Sequence, residues 1–273
     1  MPLHYLTYHV AVVDPSFLDL PARPAKPRST GLTHVLDPGT PPGAAADLLS
    51  SAAAHVDIWK VGWGTAYVDA ALGAKLALLA EHGVPACLGG TLLEIAWAQG
   101  RARECLAWAH DAGFAMVEVS RGTVDMTPAQ KRELIGLATG RFTVLAEVGT
   151  KAPGEQRAAR TWPVEAAADL DSGASLVVTE GRQSGTVGTF DAAGRVRPDV
   201  VEAVAAAVGV ERVVFEAPRS SQQAWFVRRF GPAVNLGNVA LPDVLSVETL
   251  RLGLRSDTAA LPRPEDAAGA GPA

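Results

Sequence analysis

The chain has 273 residues, is 48% hydrophobic and 19% charged, and carries a formal charge of −5 from 24 Lys+Arg against 29 Asp+Glu. That length suits one domain near the ~250 residues of a single (β/α)8 barrel, and without a basic block there is no electrostatic footprint of a nucleic-acid binder. Cys87 and Cys105 form neither a disulfide framework nor a metal-ligand pattern, and residues 1–16 lack the basic start and apolar core of a secretory signal, so a cytoplasmic protein with no membrane partner is expected.

Residues 1–30 read as an N-terminal extended arm, because prolines at 21, 24 and 27 bar a regular helix. The arm packs on the domain or, in a sharper reading, Lys26 or Arg28 closes over the active-site mouth. Residues 31–255 then alternate between short apolar runs and Ala- and Leu-rich stretches of helical length. The first run, GLTHVLDPG (31–39), ends in Asp37, and a proline-opened helix follows over 41–55. HVDIWKVGWGT (55–65) carries Lys60, and the helix of 66–83 ends at Gly83, a natural C-terminal cap. VPACLGGT (84–91) ends in Gly89, Gly90 and Thr91, and the segment 92–113 reads as two helical pieces broken near Gly100.

AMVEVSRGT (115–123) ends in Glu118 and Ser120, with Arg121 beyond, and Thr127 with Pro128 opens a helix over 127–140. FTVLAEVGTK (142–151) ends in Glu147 and Lys151, and the polar loop 152–162 is either a lid or a surface insertion. A helix over 163–174 leads to SLVVTEGRQSG (175–185), with Glu180 and Arg182. A helix over 197–209 leads to RVVFEAPRSSQQ (212–223), with Glu216 and Arg219. The helix of 220–231, the run AVNLGNVAL (233–241) with Asn235 and Asn238, and a helix over 241–255 complete the series. Residues 256–273 read as a flexible tail.

The runs are near-continuously apolar, as parallel strands covered by helices require. The expected fold is therefore a (β/α)8 TIM barrel over 31–255, with its active site at the C-terminal strand ends. Carboxylates at several strand ends repel one another in one mouth, and a divalent cation offsets that repulsion. Hard oxygen donors favour Mg²⁺, with Glu118, Glu147, Glu180 and Glu216 as candidate ligands; for any one of them a structural salt bridge is an equal alternative. Lys151, Lys60 and Asp37 are the candidate catalytic groups, Lys151 foremost, since an amine with a lowered pKa can move a proton; phosphate or carboxylate binding without proton chemistry is the alternative for Lys151. No histidine falls at a strand's C-terminal end, so no imidazole base is expected.

An anionic substrate is the expected ligand. Arg182 offers a planar bidentate contact, and Ser184 and Gly185 lie in a Gly-rich loop that can present N–H groups to an anion. Ser120, Arg121, Arg219, Ser221, Gln222, Asn235 and Asn238 are the further candidates for substrate binding. Plain helix capping is the alternative for the Ser220–Ser221 pair.

In this order the motifs RPAKPRSTGLTHVLDPG, DIWKVGWGT, GGTLLEIAWAQG, VEVSRGTVDM, AEVGTK, TEGRQSG, FEAPRSSQQAWFV, NLGNVA and ETLRLGLRSDT resemble the phosphosulfolactate synthase family, which acts in the sulfonate route to coenzyme M. The resemblance covers residues 20–258. It implies a Mg²⁺-dependent lyase that adds sulfite to phosphoenolpyruvate to form (2R)-O-phospho-3-sulfolactate, with the lysine closing EVG-x-K, here Lys151, as the acid. It also implies a homo-oligomer. The chain departs from the family pattern at Asp37-Pro38-Gly39, where family members commonly have Asp-Lys-Gly, and at Ser120-Arg121-Gly122, where Asp or Asn usually precedes the glycine. It departs again at Arg219-Ser220, where family members can carry Gln-Lys. These exchanges keep in view a same-scaffold enzyme using a different sulfur or anionic nucleophile, and a barrel fold by itself also leaves open a non-catalytic binding barrel.

Overall fold

A computed structural model describes residues 17–149 and 160–259. Eight parallel strands close into a barrel in sequence order: β1 (Thr33–Asp37), β2 (Ile58–Val61), β3 (Ala86–Leu88), β4 (Met116–Val119), β5 (Thr143–Val148), β6 (Leu176–Thr179), β7 (Val213–Glu216) and β8 (Asn235–Ala240), with β8 pairing back onto β1. The helices that follow them are α1 (Pro42–Ala52), α2 (Leu72–Glu81), α3 (Gly90–Ala98), α4 (Ala102–Ala112), α5 (Pro128–Ala138), α6 (Trp162–Asp171), α7 (Pro198–Val208), α8 (Ser220–Phe230) and α9 (Val244–Arg251). The helical stretch of 92–113 is indeed two helices, α3 and α4, parted at Gly100, whose φ of 71° suits glycine.

Local chemistry sets several of these boundaries. Thr127 accepts the Gln130 N–H while Gln130 accepts the Thr127 N–H, a reciprocal cap worth about 1 kcal/mol at the start of α5. Gly113 ends α4 in the left-handed conformation, at φ 101°. Strand alternation then sorts the core into two shells. Val35, Trp59, Val61, Leu88, Val117, Val119, Val144, Ala146, Val177, Val213 and Phe215 belong to the large cluster between sheet and helices. Leu32, Ile58, Cys87, Leu145, Val178 and Val214, with Met116 and Leu176 against them, fill the lower barrel interior.

That inner cluster fixes the height of the site. Two residues beyond Ile58, Met116, Leu145, Val178 and Val214 stand Lys60, Glu118, Glu147, Glu180 and Glu216. With a side-chain period of two, each charged group lands on the same inward face, one layer above an apolar floor. Gly237 belongs to this interior too: a Cβ there would lie 2.9 Å from Val214 Cγ1 and 3.1 Å from His34 Nδ1.

Neither Lys26 nor Arg28 closes over the mouth. The Lys26 ammonium donates to the carbonyls of Ala53 (3.0 Å) and Val56 (2.6 Å), just before β2. Arg28 donates to the Ala54 carbonyl and pairs with Asp57 at 2.9 Å. Both cations therefore sit at the N-terminal ends of the strands, in a cavity floored by Leu32, Ile58, Met116 and Leu176. At the other terminus, Thr258 is buried and Arg228 donates to the Asp257 carbonyl at 2.9 Å, so packed chain extends past residue 255 into the segment read as tail. No helix of the described residues is long and apolar enough to cross a membrane.

Candidate active site

The C-terminal ends of the strands enclose a cavity of about 380 Å³. Its floor is ionic. The Lys60 ammonium donates to Glu118 Oε2 and Glu216 Oε1, both at 3.0 Å. Glu118 also accepts the Gly90 N–H (3.1 Å) at the start of α3, and Glu216 accepts the N–H groups of Gly181 (2.9 Å) and Arg182 (3.1 Å). Gly90 is required here: a Cβ would collide with the Ser120 side chain. Glu180 accepts the Arg182 N–H at 2.8 Å, and Glu147 and Glu180 both line the cavity.

Burial and charge set the protonation states. Burial alone would lower the Lys60 pKa, but Glu118, Glu216 and Glu147 together hold it well above the usual lysine range, so Lys60 is a fixed ammonium. Burial pushes the Glu118 carboxyl up, yet Lys60 and the Gly90 N–H prevail and keep it below the usual carboxylate range. His34, fully buried among the inward-facing side chains, is pushed down to about 3 by burial first and Lys60 second, and stays neutral. Its Nδ1 faces the Asn238 N–H at 3.4 Å.

Three carboxylates, Glu118, Glu147 and Glu216, each offer an oxygen within 4.8 Å of the others, all buried. A cluster of hard oxygen donors open to the mouth fits Mg²⁺, which keeps several waters and takes few protein ligands. Glu180 lines the same mouth but lies outside this triad.

The other sequence candidates divide clearly. Arg182, Ser184 and Asn238 line the cavity with Lys60. Lys151 and residues 152–159 of the loop read as a lid lie outside the described residues, and the loop's last residues, 160–162, lead into α6. Asp37 does not face the mouth: it shares Val35's outward face and accepts Lys75 Nζ (2.8 Å), Trp59 Nε1 (3.0 Å) and the N–H groups of Gly39 (2.8 Å) and Thr40 (2.5 Å). Asn235 opens β8 at the opposite end, where its amide accepts the Leu32 N–H and donates to the Glu211 and Val213 carbonyls. Ser120 donates to Glu94, and Arg121 pairs with Glu165 at 2.6 Å. Gln222 clamps the sixth loop by donating to the Gly185 (2.8 Å) and Gly194 (3.0 Å) carbonyls. Arg219 and Ser221 are exposed at the start of α8, outside the cavity lining, and Gly185 packs against Gln222.

Three supporting features escape the sequence reading. Glu94, wholly buried on α3, accepts the N–H groups of Gly122 (3.3 Å), Thr123 (2.6 Å) and Val124 (3.1 Å) and so shapes the loop after β4. Lys131, wholly buried on α5, donates to the Glu147 carbonyl (2.6 Å), Glu165 (3.0 Å) and Asp169 (2.6 Å), bracing the end of β5 from outside. Trp63 lines the mouth and is 55% exposed. The flanking Gly62 and Gly64 were the available signal for Trp63: an aromatic between two glycines belongs to a turn, not a strand.

A closed (β/α)8 barrel with an acidic, metal-competent mouth at its C-terminal face is the architecture of a barrel enzyme. Among solved structures it is similar to 3-hexulose-6-phosphate synthase from Salmonella typhimurium, with a TM-score of 0.52 at 16% identity, covering 80% of this chain and 97% of that one. That likeness shows the fold alone. Residues 21–257 match the (2R)-phospho-3-sulfolactate synthase (ComA) family, and the chain belongs to it. It is 36% identical over 244 residues to a phosphosulfolactate synthase of Bacillus subtilis (strain 168), covering 88% of this chain and 97% of the relative. It is 39% identical over 236 residues to that of Methanocaldococcus jannaschii, covering 84% and 93%.

Proposed function

We propose that the protein adds sulfite to phosphoenolpyruvate, with Mg²⁺ held by Glu118, Glu147 and Glu216, to form (2R)-O-phospho-3-sulfolactate. The observation that carries this reading is the triad of buried carboxylates at the base of the mouth of a chain that belongs to this family. Four carboxylates face the mouth with Lys60 and Arg182. A trianionic ester and a sulfite cannot share that space without added positive charge.

In the reaction the sulfur lone pair forms a C–S bond at the methylene carbon. The displaced π pair moves through C2 into the carboxylate, and a proton then adds at C2, leaving the phosphate ester intact. Mg²⁺, when bound, supplies Lewis acidity to the carboxylate on which charge accumulates. Lys60 is a weak acid, because its ammonium is held charged between two carboxylates, and its role is to keep the triad together and spaced. Arg182, whose N–H is anchored on Glu180 and Glu216, presents its guanidinium to the phosphate or carboxylate. Lys151 is assigned the proton donation at C2, the role its EVG-x-K motif implies.

A changed nucleophile loses its motive at one position. Arg121, the cation gained after β4, spends its charge on Glu165 and does not line the mouth.

The test is an anaerobic assay of phosphoenolpyruvate, sulfite and MgCl₂ followed by phosphorus NMR. A new phosphate-ester resonance that requires all three components is expected. Lys151→Ala should lower kcat by about 10²–10⁴-fold, the usual worth of a positioned acid, with an unchanged thermal melt. No new ester at high enzyme concentration would remove the reading.

A further inference from the structure

Among the described residues only three non-glycine residues have positive φ: Trp63 (54°), Arg182 (50°) and Asn238 (50°). All three line the same cavity. Left-handed backbone is tolerable for asparagine and resisted by a bulky aromatic, so the conformation at Trp63 persists only because its surroundings impose it. They do. The Gly62 N–H donates to the Asp37 carbonyl at 2.9 Å, and the Gly62 carbonyl accepts both the N–H (3.0 Å) and the hydroxyl (2.8 Å) of Thr65. Gly62 packs so closely on Leu36, itself part of the cavity wall, that a Cβ there would overlap it. Gly64 continues the left-handed turn at φ 71°.

The strain is not repaid by burial within the protein. The Trp63 side chain is 55% exposed, while Trp59, four residues earlier on the strand, is wholly buried. A large indole held at the lip of an ionic mouth, in a backbone it disfavours, gains its apolar contacts only when something fills the mouth. The floor beneath carries four carboxylates against Lys60 and Arg182, so the anionic occupant of the proposed function sits there only when a cation offsets the carboxylates, and the side it turns to the indole is the less polar one.

We infer that Trp63 is the cover of the substrate: its indole closes on the planar enol face of the bound three-carbon anion, fixes the ester over Lys60 and the carboxylates, and keeps water away from the charge that develops there. The identity of the anion rests on the proposed function; the cover itself rests on the turn geometry. Excluding water strengthens each electrostatic contact the floor makes. The same effect makes Trp63 a determinant of affinity and turnover together, although it takes no part in bond making.

The experiment follows tryptophan fluorescence of the full chain in MgCl₂ during titration with phosphoenolpyruvate, inorganic phosphate and sulfate in turn. At least one anion should change the emission of the wild type, and Trp63→Phe, which keeps the other five tryptophans, should lose most of that change. Trp63→Gly should raise the KM for phosphoenolpyruvate about tenfold or more, in line with removal of a buried aromatic anchor, and lower kcat as well. It should not lower the melting temperature, because glycine accepts the left-handed backbone. A response to phosphate or sulfate but not to phosphoenolpyruvate, lost in Trp63→Phe, keeps the cover and rejects the substrate. The inference is overturned if no anion alters the emission, if Trp63→Phe responds like the wild type, or if Trp63→Gly turns over with unchanged constants.

Discussion

Lys60→Met is expected to cost about 3–5 kcal/mol of stability at neutral pH, the usual penalty for removing one partner of a buried ion pair, and to abolish turnover. The lysine is 5% exposed and bridges Glu118 and Glu216, with Glu147 close enough to complete a triad within 4.8 Å. Methionine keeps the volume and removes the charge, so the carboxylates repel without compensation. Their pKa values in the folded variant then rise above the unfolded ones. A carboxyl whose folded pKa is raised destabilises at high pH, and the loss is recovered as pH falls through that folded value. Denaturant melts of the variant should therefore show stability climbing from pH 8 toward pH 5. The wild type should behave differently. The raised pKa of Lys60 contributes stability that is complete below the unfolded lysine value of about 10.4 and lost only as pH rises through the folded one. Mg²⁺ gives the second arm of the measurement. A cation that occupies the triad stabilises in proportion to its binding, and millimolar MgCl₂ should raise the melting temperature of Lys60→Met more than that of the wild type. Equal melts at pH 8 and pH 5, with no response to Mg²⁺, would mean that the triad is not electrostatically stressed and is a poor cation site.

The order of strands and helices was legible because parallel barrels require it: apolar runs buried on both faces, punctuated by Gly, Pro and capping residues. Gly100 and Thr127 carried enough local chemistry to place a break and a cap. The site was legible only in part, and the reason is parity. Reading the last polar residue of each run finds Glu118, Glu147, Glu180 and Glu216, which stand two places beyond inward apolar residues. The same rule misplaces Asp37, which ends its run on the outward face beside Val35, while Leu36 faces the mouth. It misplaces Asn235 as well, which begins a strand instead of ending one. Arg121 and Gln222 are nearby in sequence but are spent on Glu165 and on the Gly185 and Gly194 carbonyls. Partners 28 to 44 residues distant are invisible to a single run of sequence. Glu94 and Lys131 were hidden for the same reason: each is a charged residue in an ordinary helix whose meaning lies entirely in the loop or strand end it meets.

Asp37→Ala distinguishes a structural carboxylate from a catalytic one, and a loss of about 3–5 kcal/mol is expected with little change in the KM of the molecules that remain folded. Asp37 is wholly buried, and its two oxygens accept four donors from the loop after β1, from β2 and from α2: Gly39, Thr40, Trp59 and Lys75. Alanine leaves Lys75, also wholly buried, with Asp69 alone at 2.9 Å. Burial opposes ionisation of Asp37, but Lys75, Thr40, Trp59 and Gly39 outweigh it and hold its pKa below the usual aspartate value. A carboxyl with a depressed folded pKa contributes stability that is present above the unfolded pKa, near 3.9, and lost as pH falls through the folded value. Acid titration of the wild type should therefore show this component disappearing below about pH 4, and the variant should lack it. The double variant Asp37→Leu with Lys75→Met decides the cause. If the cost of losing Asp37 is mainly the stranded ammonium, the double variant should be less damaging than the sum of Asp37→Leu and Lys75→Met measured singly by about 1 kcal/mol or more. Strict additivity would place the cost in the Trp59, Gly39 and Thr40 bonds. A collapse of kcat in folded Asp37→Ala would restore Asp37 to the chemistry and would require β1 to turn its last residue inward.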